Sequence, residues 1–307
     1  MKKIFNTNSY IYLSIFRILI SIHIFKKYLI YFINRDILLS KTFIDPISQD
    51  KLLVILGVNQ TFIHQNISVL LNIILLLCIL FACGVFKYII PIFLFIAIEL
   101  FQRSYIYIPN GGDNLLKFVL LYLIFTNCYR FFTLKKYTKH KEGTGIGYFV
   151  NQVAVLLIKA HLCLIYMTSA IFKLNSKVWF TGIATYYTLQ LERFQGTDFN
   201  IALSKNGYFV TAATYATLLW ELVFPFFAWT KVSKFYVFGS GIMIHLGIYL
   251  LMMIHDFEIL FIMCYGFFIS DEEWTKGYRL LGIYAYYFKR RIYKISDLKA
   301  NKSNLLL

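Results

Sequence analysis

Ionisable side chains interrupt the apolar stretches of this sequence at Asp113, His161, Lys173, Glu221, His245 and His255. Such a group costs about 2.5–3.5 kcal/mol at a helix centre inside a bilayer, so each calls for a partner or a function. A lysine at the edge of an apolar cavity is partly desolvated, and its neutral amine can then accept a proton. Glu221 sits within Leu218-Leu219-Trp220-Glu221-Leu222-Val223-Phe224 and must be paired or protonated. His245 lies in Ile242-Met243-Ile244-His245-Leu246-Gly247-Ile248, where Gly247 permits close helix approach and the imidazole suits a hydrogen bond between helices. Together these types support proton transfer in an apolar pocket. Glu221 and His245 are interior polar groups, Asp113 and His255 would form the mouth of the pocket, and Lys173 stands toward that end. His161, on the run that carries Lys173, is a further binding candidate.

Other readings stay open at single positions. Lys173 lies where its run ends, beside Leu174-Asn175, and on position alone reads first as an interfacial anchor. Arg17 is one option as a structural partner of Glu221. Glu99 and Arg103, four apart, share a helix face and form an internal pair, while Arg103 and Lys117 are close enough to run ends to snorkel. Lys159 shares a face with Lys173, but about 21 Å lies between them at a rise of about 1.5 Å per residue. One small site cannot hold both. His255-Asp256-x-Glu258 adds a last polar group.

The elements that must position these groups are membrane helices. Of 307 residues 59% are hydrophobic and 15% charged, and mean hydropathy is +0.64; soluble domains carry about 25% charged residues. That excludes a water-soluble fold, a disordered chain and a disulfide scaffold. Four Pro beside 31 Phe and 24 Tyr suit long helices. The net charge of +16 collects in short polar segments between apolar runs, which orients a membrane protein and does not indicate a nucleic-acid partner. A crossing helix needs about 20 mostly apolar residues. Eight runs qualify: 10–32, 67–86, 89–107, 114–132, 149–172, 208–228, 236–254 and 257–270. The expected fold class is all-α, a polytopic transmembrane helical bundle of about eight spans over residues 1–270, with a basic cytoplasmic tail over 271–307. Lys26-Lys27 interrupts the first run, and the last two could form one bent unit around His255-Asp256. Met1-Lys2-Lys3 resembles a signal-peptide start, but no Ala-x-Ala follows and Arg17 lies inside the run, so an uncleaved first span is expected.

Basic residues set the orientation. Arg130, Lys135, Lys136, Lys139 and Lys141 lie between runs four and five, Lys231 and Lys234 between six and seven, and Lys289, Arg290, Arg291, Lys294, Lys299 and Lys302 in the tail. With eight spans these fall on one side with Lys2, Lys3 and Lys87, so both termini are expected in the cytoplasm of a cell membrane. Asn110-Gly111-Gly112-Asp113, the 173–207 segment and His255-Asp256 face the other side. The five cysteines sit in or beside apolar runs without a CxxC, which reads as apolar packing. No HExxH or short-range His/Cys cluster suggests a metal. Gly143-Thr144-Gly145-Ile146-Gly147 has no preceding strand and reads as a linker.

Three ordered segments carry a family resemblance. Leu164 to Leu174, with Tyr166, Ala170, Lys173 and Leu174 followed by Trp179 and Gly182, resembles the signature helix of the vitamin K-dependent γ-carboxylase / horizontally transferred transmembrane (HTTM) superfamily. Trp220-Glu221-Leu222-x2-Pro225 is similar to its acidic helix, and His245-Leu246-Gly247-Ile248 running to His255-Asp256-Phe257 to its histidine helix. Asn110-Gly111-Gly112-Asp113 looks like the polar turn opening a family helix. The resemblance covers about residues 110–270. It implies that Lys173 takes the position of the lysine that starts oxidation of the vitamin K hydroquinone, with a lipid quinone as cofactor. Asp113 stands where the carboxylase places an assisting histidine. No large lumenal domain is expected after the eighth run, so full peptidyl-glutamate carboxylation is not.

The small bacterial members that mature a sporulation-delaying peptide toxin are similar in length and span count. Two functions follow. One is lysine-dependent proton abstraction from a lipid quinol, or maturation of a secreted peptide, in an extracytoplasmic-facing cavity formed by spans four to eight. The alternative is a non-catalytic accessory in peptide-toxin export and maturation. Expected partners are membrane lipid, a secreted peptide precursor and a small soluble protein. A transporter would show an inverted repeat, and the sequence has none.

Overall fold

The computed structural model describes residues 9–38, 50–134 and 145–279. Of the orienting basic residues, Lys2, Lys3, Lys135, Lys136, Lys139, Lys141 and those of the tail beyond 279 lie outside the described residues, as do Gly143 and Thr144 of the glycine-rich linker. All regular structure among the described residues is helical. The principal helices are α1 (Tyr10–Ile33), α2 (Ile67–Cys83), α3 (Ile89–Ser104), α4 (Gly111–Ile124), α5 (Ile146–Leu174), α6 (Gly207–Phe227), α7 (Ser233–Met252) and α8 (His255–Tyr265). Each falls within or across one of the apolar runs. By length and composition three can cross a membrane, α5 with 29 residues, α6 with 21 and α7 with 20; α2 is apolar but has 17. The chain is therefore an all-helical protein with membrane-capable helices.

Local chemistry fixes several boundaries. α4 begins at Gly111, earlier than its apolar run, because Asn110 and Asp113 form a reciprocal capping box: the Asn110 side chain accepts from Gly112 and Asp113 N–H, and Asp113 accepts from Asn110 N–H. α2 ends at Gly84 in the left-handed conformation, φ 68°, where a Cβ would lie 2.7 Å from the Arg17 guanidinium. α7 turns into α8 through Met253, also left-handed at φ 56°, so the last two runs are two helices and not one bent unit. Asp271 accepts from the N–H groups of Tyr10 and Ile11 at 3.0 and 2.9 Å and satisfies donors that α1 cannot satisfy itself. Trp274 stacks on Tyr12 at 5.2 Å. Residues 271–279 are thus helical and joined to the bundle.

The core follows helical spacing. Leu13, Phe16, Ile20 and Ile24 of α1 are fully buried, as are Leu71, Ile74 and Phe81 of α2. Ile22, Leu76, Phe93, Leu164 and Leu219 instead point outward, a surface suited to hydrocarbon. Between these layers sits Arg17, wholly buried. It donates to the carbonyls of Cys128 at 2.8 Å, Ala82 at 3.3 Å and Phe132. It therefore ties α1 to the chain leaving α2 and α4 and is not the partner of Glu221.

Candidate functional site

α5 and α6 run antiparallel, with the Tyr166 ring 4.6 Å from that of Phe224 and Ser169 bonded to Glu221 at 3.3 Å. Side chains lean toward the N-terminus of their helix, so on antiparallel neighbours they lean toward each other. Lys173 leans back along α5 and Glu221 leans back along α6, which on antiparallel helices brings the two together, and the ammonium donates to Glu221 Oε1. Trp179, from the short helix Lys177–Phe180 after α5, places its ring 4.6 Å from Lys173 Nζ, a cation–π contact that holds the ammonium from the other side. Pro225 lies four residues after Glu221 within α6; having no N–H, it cannot bond the Glu221 carbonyl.

A second acid–base group comes from the α7–α8 hairpin. His245 Nδ1 is bonded to Glu258 Oε2, and both residues are buried. His245 Nε2 lies 2.8 Å from the Tyr166 hydroxyl, which lies 2.9 Å from that of Tyr265. Nδ1 thus faces the Glu258 carboxyl and Nε2 the Tyr166 hydroxyl, in a chain that runs on to Tyr265. Every polar atom of His245 then has a partner.

Both groups line one cavity of about 400 Å3 between α5, α6, α7 and α8. Lys173, Glu221, His245 and Glu258 share its wall with Tyr166, Trp179 and Trp220; Ile165, Ile248, Phe257 and Phe261 make much of the rest. Glu221 Oε2 is buried there with no hydrogen-bond partner. A buried carboxylate oxygen without a donor costs free energy, and a ligand hydroxyl or amine placed in the cavity would supply one. An apolar wall around one acceptor and one ammonium fits a molecule with an apolar body and a hydrogen-donating head, a class that includes a lipid quinol. The groups placed to hold that head are Glu221, Lys173 and Trp179.

Three of the six sequence candidates, Lys173, Glu221 and His245, meet in this cavity. The other three do not line it. Asp113 is 2% exposed and paired with Lys27 of α1, and the same oxygen lies 3.4 Å from Gln102; the α4 capping box turns its carboxylate toward α1. His161 lies between α4 and α5, with Nδ1 3.1 Å from the Tyr122 hydroxyl and its ring 4.5 Å from Phe118. The His255 ring lies 4.3 Å from that of Tyr249 at the start of α8. Asp113 and His255 therefore do not form a mouth. α4 contributes no lining residue either, because it packs behind α8: a Cβ on Gly112 would come within 3.0 Å of Phe257. The expected Glu99–Arg103 pair is present at 2.9 Å, and Asp50 and Lys117 extend it at 3.1 and 3.5 Å.

Glu258 and Tyr166 were visible in the sequence without being chosen. Glu258 stands three residues before Phe261 on a helical face, a spacing that turns it inward, whereas His255 drew attention by residue type alone. Tyr166 sits one turn before Ala170 and two before Lys173 on the same face of α5, which aims it at the same space. Among the described residues no group of three or more metal-ligating side chains occurs, and the cysteines are free. Comparison of the chain with protein-family models, curated proteins and solved structures returns no match.

Proposed function

We propose that this chain is an eight-span membrane protein of the HTTM type that binds an amphipathic molecule between its last four helices and removes a proton from its head. The observation that carries the reading is the unpartnered Glu221 Oε2, buried beside the Lys173 ammonium in an otherwise apolar cavity. A hydroxyl of the bound head donates to Oε2. As its proton moves to that carboxylate, Lys173 loses its anionic partner and its ammonium turns to the new oxyanion, so the ion pair is transferred and no isolated charge forms. Lys173, already paired with Glu221, then acts as the cation that holds the developing anion and not as the base. His245 is held between Glu258 and the Tyr166 hydroxyl, which fixes the Tyr166 ring against the ligand space. The sequence resemblance favours a lipid quinol among such substrates. The basic-residue pattern favours a cavity on the extracytoplasmic side with both termini inside.

The test is lipid and peptide mass spectrometry of cells expressing wild type, Lys173→Ala or Glu221→Gln at matched abundance. A hydroxyl-bearing lipid or unprocessed peptide that accumulates in both variants supports the reading. Equal profiles in all three remove it.

A further inference from the structure

We propose that the cavity is reached sideways from the bilayer, through a slot between α6 and α7, and that its occupant is a membrane-resident amphiphile whose single apolar tail lies in that slot. This rests on the proton-transfer reading for the head but on separate observations for the tail.

α6 and α7 are clamped together at one end and apart at the other. At the clamped end Trp220 Nε1 donates to the Val237 carbonyl at 2.9 Å, and a Cβ on Gly241 would fall 2.3 Å from Trp220 Cζ2. Two helical turns on, a Cβ on Gly247 would meet nothing within 4 Å, although Gly247 lines the cavity. Across from it α6 presents Ala213, Ala216 and Thr217, also cavity-lining and spaced three and four residues apart on one face. Small residues at this spacing let helix backbones approach; here no side chain fills the gap, and it opens into the cavity. Met243 lines the same wall and is 76% exposed, and Ala216 is also exposed, so the cavity continues to the outer surface of the bundle. Both helices are among those able to cross a membrane, and the slot between them faces hydrocarbon.

The chemistry of the slot suits a tail. The Thr217 hydroxyl donates to the Ala213 carbonyl at 2.9 Å, within its own helix, so neither wall offers a free donor. Glu221 lies one turn beyond Thr217 on the same face, where the head of a molecule lying in the slot would reach Oε2. At the other end the α5–α6 connection lies along the cavity, with Thr185, Thr188 and Leu189 lining it. The Leu251 carbonyl accepts from Gly196 N–H at 3.0 Å and from Asn200 Nδ2 at 2.6 Å, which fastens the connection onto α7, and Trp179 lies over Lys173.

The test uses the full chain in phosphatidylcholine nanodiscs and two diazirine photoprobes with the same phenol head, one with a long alkyl chain and one short and water-soluble. Adducts are mapped by peptide mass spectrometry. The long-chain probe is expected to label Ala216, Thr217 and Met243, and Gly247→Trp is expected to lower that labelling about tenfold, equivalent to about 1.4 kcal/mol. Gly239→Trp, on α7 with open space around it but outside the cavity, is expected to label as wild type and controls for folding. Unchanged labelling in Gly247→Trp overturns the slot. So does labelling confined to Thr185, Thr188 and Leu189 of the connection, or equal labelling by the short phenol. Glu221→Gln separates the two claims. Slot adducts are expected to persist in it while probe affinity drops; persistent adducts with unchanged affinity leave lateral access standing and remove the proton-transfer reading.

Discussion

The helices α1–α4 and α5–α8 both bury ionisable residues, but only the second half sets two of its pairs against a cavity. In the first half the charges are consumed by structure. Arg17 bonds three backbone carbonyls, Lys27 meets Asp113, and Arg103 joins Glu99 and Asp50. In the second half Lys173–Glu221 and His245–Glu258 border an open volume, and Glu221 keeps an unused oxygen toward it. A charge inside an apolar run therefore does not by itself mark a site. What separates the halves is whether space adjoins the pair and whether a polar atom in that space still lacks a partner.

The sharpest way to break this comparison is to remove one partner from each half. Lys27→Ala strands Asp113 in a closed interior and is expected to destabilise by about 3–5 kcal/mol, read from thermal unfolding in detergent. Lys173→Ala leaves Glu221 beside an open cavity and not in a closed interior, so a smaller stability loss and a larger loss of ligand chemistry are expected. Equal stability losses would erase the distinction.

The glycines of α7 sharpen it further. Gly241→Ala forces a Cβ into Trp220 and is expected to cost about 1–3 kcal/mol, whereas Gly247→Ala is expected to stay within about 0.5 kcal/mol. Both are measured by the same unfolding assay. Tyr166→Phe removes the hydroxyl between His245 and Tyr265, with an expected loss of about 1 kcal/mol and weaker binding of a long-chain alkylphenol.

The smallest effect lies outside the spans, at Glu273. Burial pushes its carboxyl up, but hydrogen bonds from Lys234 and Ser270, with the Lys234 charge, outweigh that and hold it below its ordinary value. A depressed carboxyl contributes stability that is full above its unfolded value and disappears as pH falls through its folded one. Glu273→Gln is expected to lower stability slightly at neutral pH, where that contribution is full, and to leave it nearly unchanged in acid, so the acid limb flattens.

The helical architecture was legible because an apolar run long enough to become a membrane helix is a local property. The Glu99–Arg103 pair was legible for the same reason, since four residues separate its members on one helix. Asp113 was not, because its capping box and its contact with Lys27 depend on where α1 lies. Lys173, Glu221 and His245 could be selected by type, but their meeting depends on the antiparallel lean of α5 and α6. Glu258 was marked by its spacing from Phe261, but its bond to His245 depends on the hairpin that α7 and α8 make at Met253. Gly241 and Gly247 look alike in sequence, and only Trp220 tells them apart.

The most direct measurement is infrared difference spectroscopy of the protein in nanodiscs as a long-chain alkylphenol is added. If Glu221 takes up the proton of a bound hydroxyl, a protonated-carboxyl band appears on binding in wild type and is missing in Glu221→Gln. A phenol that binds without producing that band, or one that produces it equally in Glu221→Gln, contradicts the assignment of Glu221 as the acceptor.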